Sequence, residues 1–112
     1  MSDCIFCKIV AGQIPSDKVY EDDEVLVFHD IHPFARVHFL IIPKMHIATL
    51  SDCTSDQQGL LGKMLLLAPR LAKEAGLDTG FKTLINTGRG GGQEVFHVHI
   101  HVFGGGDPVR RS

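Results

Sequence analysis

The sequence contains no tryptophan and a single tyrosine, so its aromatic packing rests on seven phenylalanines. Cysteine is scarce and odd in number, with three residues of which Cys4 and Cys7 alone lie close together. A secreted disulfide scaffold is normally richer and even in count, so the pattern points to a reducing cytoplasmic setting. A one-sided charge is also lacking: eleven basic against thirteen acidic residues give −2. That balance excludes a nucleic-acid binder working by bulk charge. The longest uninterrupted apolar stretch, Met64 to Pro69, falls far short of the roughly 20 residues that span a bilayer. The start, Met1-Ser2-Asp3-Cys4, carries an acid and has no apolar segment of the signal-peptide kind. Repeats, charge blocks and linker-like shifts in composition are missing as well. What remains is 112 residues, 44% apolar and 21% charged, which fits one globular domain over 1–112.

The pattern along the chain predicts α+β. Residues 4–10 suggest a short helical turn ended by Gly12-Gln13-Ile14-Pro15. Val19 to Glu21 and Glu24 to His29 read as strands joined at Asp22-Asp23, and His38 to Ile42 as a buried strand stopped by Pro43. Thr54-x-x-Gln57 has capping-box spacing. Beyond it Leu60, Met64, Leu67, Leu71 and Ala75 line one helical face, widened by Leu61, Leu65, Ala68 and Ala72. Gly76 is the stop, and Pro69 is expected to kink the helix because it removes a backbone donor. Phe81 to Asn86 reads as a strand, then comes a glycine-rich turn, then a long last strand from Val95 to Phe103. Several strands with one substantial helix and no βαβ alternation indicate an antiparallel sheet.

Histidine is in excess: seven in all, three of them between His97 and His101. On a strand, His97, His99 and His101 point to one face and Val98, Ile100 and Val102 to the other. Positions i and i+2 are roughly 6.6 Å apart, so these imidazoles can flank one small group. A solvated polar face or a purification tag is the bland alternative, but a tag is not interleaved with Val and Ile. Imidazole suits nucleophile, base or ligand roles near neutrality. The preceding Gly88-Arg89-Gly90-Gly91-Gly92 could turn backbone N–H groups inward as an anion nest, though surface turns use the same residues. Cys4-x-x-Cys7 could be half of a tetrahedral zinc site, a redox pair or two buried thiols; spacing alone leaves these open. Cys53, in a polar turn, reads as incidental.

His97-Val98-His99-Ile100-His101-Val102-Phe103, led by Gly91-Gly92-Gln93-Glu94-Val95, resembles the motif of the histidine triad family of nucleotide hydrolases and transferases. The chain is similar to the bacterial nucleoside phosphoramidate hydrolase branch over nearly its whole length. The similarity includes Phe28-His29-Asp30-Ile31-x-Pro33 and His38-Phe39-Leu40-Ile41-Ile42-Pro43-Lys44-x-His46. The resemblance implies a five-stranded antiparallel sheet with one long and one short N-terminal helix, a homodimer, and hydrolysis of purine nucleoside 5′-phosphoramidates such as AMP–amine conjugates. It casts His99 as the nucleophile that forms a nucleotidyl-histidine, with His101 on the phosphate and leaving amine and His38 supporting the cluster. Asn86 and the backbone N–H of Val95 would hold the phosphate, and Gly92, Gln93 and Glu94 are further substrate-binding candidates. Asp30 would anchor the ribose, and Phe6, Ile9, Phe28 and Ile31 would wall the base. No catalytic metal is implied. Zinc-containing relatives imply a structural Zn2+ on Cys4, Cys7, His46 and His97.

Two departures stand out. Glu94 replaces a serine that contacts the leaving group in animal members. The chain also ends soon after Gly104-Gly105-Gly106, where longer relatives carry a tail that shapes the leaving-group pocket. Leaving-group preference is therefore not implied. Dinucleoside polyphosphate hydrolysis and a nucleotide-binding regulatory or scaffold role are the alternatives. His29 and His32 flank Asp30 without an assigned role.

Overall fold

A computed structural model gives the structure of the chain and describes residues 3–105. Met1-Ser2 and the tail Gly106 to Ser112, to which the leaving-group comparison refers, lie outside the described residues. The elements are α1 (Ile5–Val10), β1 (Lys18–Glu21), β2 (Val25–His29), β3 (Val37–Pro43), α2 (Gln58–Glu74), β4 (Lys82–Leu84) and β5 (Ile100–Gly104). The strands form one antiparallel sheet in the order β1-β2-β3-β5-β4. The α+β expectation holds.

Local chemistry explains the turns. Asp22 closes the first hairpin: its Oδ1 accepts the N–H groups of Glu24 and Val25 at 2.8 and 2.9 Å, and its Oδ2 accepts the Tyr20 hydroxyl at 2.6 Å. The Thr54–Gln57 capping box forms as expected, with Gln57 Oε1 accepting the Thr54 N–H at 2.8 Å. It opens a 3₁₀ turn, Ser55–Gln57, which runs into α2. At the far end Gly76, with φ +89°, makes a Schellman stop. The Gly76 N–H reaches Lys73 O and the Leu77 N–H reaches Ala72 O, both at 3.0 Å.

Alternation divides the sheet into two faces. Val25, Val27, Phe39, Ile41, Ile100 and Val102 pack with Met64, Leu67, Ala68, Leu71 and Ala72 of α2. Leu26, Phe28, Leu40 and Ile42 face the other way and pack with Phe6 and Ile9 of α1. One face is closed by a long helix. The other is covered at one end by a short helix, and the remainder is free for a site.

Helix α2 runs from Gln58 to Glu74 with Pro69 inside it. An internal proline costs about 3 kcal/mol, and burying Met64, Leu67 and Leu71 at about 1.5–3 kcal/mol each outweighs it. Three expectations are corrected. Leu65 does not widen the buried face: it is 47% exposed, beside Leu66 at 74%. The last strand begins at Ile100 instead of Val95, and the fourth is limited to Lys82–Leu84. Residues 93–99 leave the ladder because their polar groups bond to loops, as described next.

Candidate active site and metal centre

His101 lies on β5 opposite Leu40, and His38 on β3 opposite Phe103, so the two are diagonal neighbours on the face that α1 leaves open. His38 Nε2 is 2.9 Å from His101 Nδ1, and the Phe34 N–H donates to His38 Nδ1 at 3.0 Å. His99 precedes the strand. Its Nδ1 is 2.7 Å from the carbonyl oxygen of His97. A carbonyl only accepts, so Nδ1 carries the proton and Nε2 of neutral His99 keeps a free lone pair. Phe6 meets the His99 ring edge-on with centroids 5.1 Å apart, which fixes its plane.

Burial holds these imidazoles in the neutral form. It lowers the basicity of His38, His97 and His99, whose neighbouring Asp30 or backbone carbonyl offsets only part of the effect. His101 is pushed down to about 4, by burial first and then by the nearby His99 and His38. A neutral His99 is the form that can attack an electrophile.

His99 and His101 line a cavity of about 510 Å³ with Phe6, Ile9, Phe28 and Leu40 on its apolar side. Asp30, Ile31, Asn86, Gly92, Glu94 and Val95 also line it. The structure thus brings to one cavity most of the residues that the sequence nominated. Asp30 is partly committed, since its Oδ1 accepts the His32 N–H at 2.8 Å while Oδ2 lies 3.5 Å from His38 Nε2. His29 and His32 reach the rim.

Two nominated residues stand apart from the cavity. His38 is buried behind His101 and does not line it. Gln93 is buried and fully engaged: Nε2 donates to the carbonyls of Ala48 and Val95 at 2.8 and 2.9 Å, and Oε1 accepts the Gly88 N–H at 2.8 Å. The open anion nest is corrected as well. The N–H groups of Gly91, Gly92 and Gln93 turn back to carbonyls of Gly88 and Arg89 at 3.0–3.1 Å, so the glycines build a closed 3₁₀ turn. Among the described residues the Val95 N–H, at the cavity wall, has no protein acceptor. Leu40 and Phe34 also line the cavity without having been nominated from the sequence, and Phe34 gives its amide to His38. A backbone amide carries no signature in sequence, and its ring, 61% exposed, reads as an ordinary loop side chain.

Behind His99, Cys4, Cys7, His46 and His97 converge closely enough to hold a metal ion. Cys4 Sγ and His46 Nδ1 each lie 3.3 Å from His97 Nδ1, and Cys7 Sγ lies 3.2 Å from His46 Nδ1. Ligands at ordinary zinc distances of about 2.0–2.3 Å would stand about 3.3–3.8 Å apart at the corners of a tetrahedron. The donor set fits. His97 Nε2 donates to the Pro43 carbonyl at 2.8 Å, so its Nδ1 faces the cluster as a lone pair. Cys4 also caps α1, accepting the Cys7 N–H at 3.3 Å, which sets both sulfurs at the helix start.

An antiparallel sheet carrying this histidine row, with His99 and His101 on an apolar-walled cavity and the central imidazole oriented through a backbone carbonyl, defines a histidine triad protein. The HIT domain model matches residues 11–107, and the chain belongs to that family. It is 58% identical over 104 residues to protein HitA of Neisseria gonorrhoeae, covering 93% of this chain and 97% of that protein. It is 45% identical over 102 residues to the purine nucleoside phosphoramidase of Escherichia coli strain K12, covering 90% and 86%. A HIT family hydrolase from Legionella pneumophila has a similar crystal structure, with TM-score 0.89, 48% identity, and coverage of 92% of this chain and 93% of that one.

Proposed function

We propose that the chain is a hydrolase of purine nucleoside 5′-phosphoramidates, releasing a nucleoside monophosphate such as AMP and an amine. The observation that carries the reading is the fixed tautomer of His99, whose free Nε2 belongs to a residue lining a cavity of nucleotide size. The similarity to the Escherichia coli purine nucleoside phosphoramidase supports the choice of substrate class.

In this mechanism the base sits between Phe6, Ile9, Phe28 and Ile31, and Asp30 accepts from the ribose hydroxyls. His99 Nε2 attacks the α-phosphorus and the P–N bond breaks. The leaving nitrogen, protonated from solvent, departs as the amine. Water then attacks the phosphorus of the nucleotidyl-histidine, the bond to Nε2 breaks, and a proton returns to solvent with the monophosphate. Asn86 and the Val95 N–H hold the phosphate oxygens, and His101 donates to them beside the leaving group. Gly92 and Glu94 shape the wall at that end.

Zinc on Cys4, Cys7, His46 and His97 would be structural, with four protein ligands and no open position. When bound it ties the N-terminal turn to the segment carrying the nucleophile. We further propose a homodimer in the cytoplasm. Leu65 and Leu66 on α2 are exposed, and β4 is an edge strand with all its residues exposed. No helix among the described residues is long and apolar enough to cross a membrane.

The test is a kinetic panel in which base and amine vary separately, alongside diadenosine polyphosphates. Preferred turnover of AMP-amides supports the reading, whereas preferred turnover of the polyphosphates overturns it. Light scattering during size exclusion checks the dimer.

A further inference from the structure

We propose that Phe34 is a positioning residue acting through His38: its backbone N–H fixes the tautomer of His38, which fixes that of His101, so that His101 presents an N–H to the bound phosphate. The inference deepens the hydrolase reading and uses that reading for its kinetic arm alone.

The polarity follows from one contact. The Phe34 N–H lies 3.0 Å from His38 Nδ1, and an amide nitrogen has no lone pair to offer. His38 Nδ1 is therefore the acceptor, and the neutral ring carries its proton on Nε2. That nitrogen stands 2.9 Å from His101 Nδ1 and 3.5 Å from Asp30 Oδ2, so the shorter bond runs to His101. The reverse polarity would leave both nitrogens of His38 without a proton, an anion no buried imidazole sustains near neutrality. His101 Nδ1 is thus an acceptor too, and its proton sits on Nε2.

His38 is 2% exposed, so no solvent competes for either of its nitrogens. The Phe34 ring packs on the same cluster. It lies over His38 with centroids 4.4 Å apart, stacks on His101 at 5.5 Å and 19°, and meets Phe103 edge-on at 5.3 Å. These contacts explain why so exposed a phenyl group stays on the cluster. The two neighbouring histidines then receive opposite instructions from the backbone. The carbonyl of His97 leaves His99 with a lone pair to attack, and the amide of Phe34 leaves His101 with a proton to donate.

The experiment is long-range 1H–15N correlation on the full chain labelled at histidine, near pH 7.5, with signals assigned by single substitutions. His38 and His101 are expected as Nε2–H tautomers and His99 as Nδ1–H. A proton on Nδ1 of either His38 or His101 in the unsubstituted protein overturns the proposal, and this readout needs no variant to fold. Phe34→Pro deletes the amide proton and Phe34→Ala keeps it. The first is expected to convert His38 to a mixture of tautomers and to lower kcat about tenfold or more with a smaller change in KM. Phe34→Ala is expected to keep the tautomers. A folded Phe34→Pro protein with unchanged tautomers and kcat sinks the idea. The tautomers are read without substrate, so a chain that fails to turn over phosphoramidates overturns the hydrolase reading by itself.

Discussion

His99 donates its Nδ1–H to the backbone carbonyl of His97, 2.7 Å away, and the His97 ring turns its Nδ1 toward Cys4 and His46. One residue therefore orients His99 with its main chain and joins the Cys4–Cys7–His46 cluster with its side chain. Replacing His99 by alanine removes the attacking atom while leaving the His97 carbonyl in place. Turnover of an adenosine phosphoramidate is expected to fall by about three orders of magnitude or more. Alkaline quenching of the unsubstituted protein, where the P–N bond to histidine survives, should trap a nucleotidyl adduct by intact mass, and His99→Ala should show none. Normal turnover by that variant would end the assignment.

Metal content is the second test. Protein purified without a tag should contain about one zinc per chain, and His46→Ala or Cys7→Ser should contain little. Because His97 joins α1 to the segment carrying His99 through the cluster, chelation should lower Tm by about 10 °C or more. Elemental analysis and calorimetry read this without any substrate. Less than a tenth of an equivalent in the untreated protein would exclude the site.

Much of this was legible in the sequence, for reasons that differ by element. The Asp22 hairpin, the Thr54–Gln57 cap and the Gly76 stop rest on short-range hydrogen bonds, which local residue types announce. Alternation of Val98, Ile100 and Val102 with histidine fixed the facing of the triad, and Ile100 and Val102 do reach the α2 side. The strand boundary at Ile100 was hidden because long-range partners decide it: the Val98 N–H goes to Ile47 O and His97 Nε2 to Pro43 O. The glycine loop misled for a similar reason. Its donors are consumed internally, and composition alone cannot tell an open nest from a closed turn. The Phe34 amide has no sequence signature at all.

Asp30 should act on binding. Its carboxylate is held by the His32 N–H and lines the cavity, so Asp30→Ala removes a charged acceptor for the ribose hydroxyls. A hydrogen bond to a charged group contributes about 1.5–3 kcal/mol, so KM should rise about 10- to 100-fold. The fall in kcat should be smaller, because Asp30 meets the His38 ring at 3.5 Å without orienting His99. Equal kinetics for ribo- and dideoxyribonucleoside substrates in the unsubstituted enzyme would count against this role.

Stability should fall as the solution is acidified from pH 6.5 toward pH 4. His38 and His101 both titrate below the ordinary histidine value of 6.5 in the folded chain, His101 at about 4, because burial disfavours their charged forms. Above 6.5 both the folded and the unfolded chain hold them neutral, and they add no pH dependence. Between 6.5 and 4 the unfolded chain binds protons that the folded one refuses, so unfolding becomes easier as pH drops. Below that range the folded chain takes the His101 proton too, and its contribution to the slope ends. Urea midpoints measured across the range should follow this course, and His101→Asn should make the decline shallower.

Gln93 separates a loop staple from a substrate ligand. Its side chain makes three hydrogen bonds, to Ala48, Val95 and Gly88, and it does not line the cavity. Gln93→Ala leaves the Gly88 N–H and the two carbonyls to find other partners. At about 1 kcal/mol net for each bond, the loss is about 2–3 kcal/mol. For a domain of this size that corresponds to a Tm lower by about 10–15 °C. The loop carries Gly92, Glu94 and Val95 to the cavity wall, so kcat should also fall as the Val95 N–H loses its placement. A direct substrate contact predicts the opposite division, a raised KM at unchanged Tm. Thermal melts and steady-state kinetics on the same preparation therefore decide which role Gln93 has.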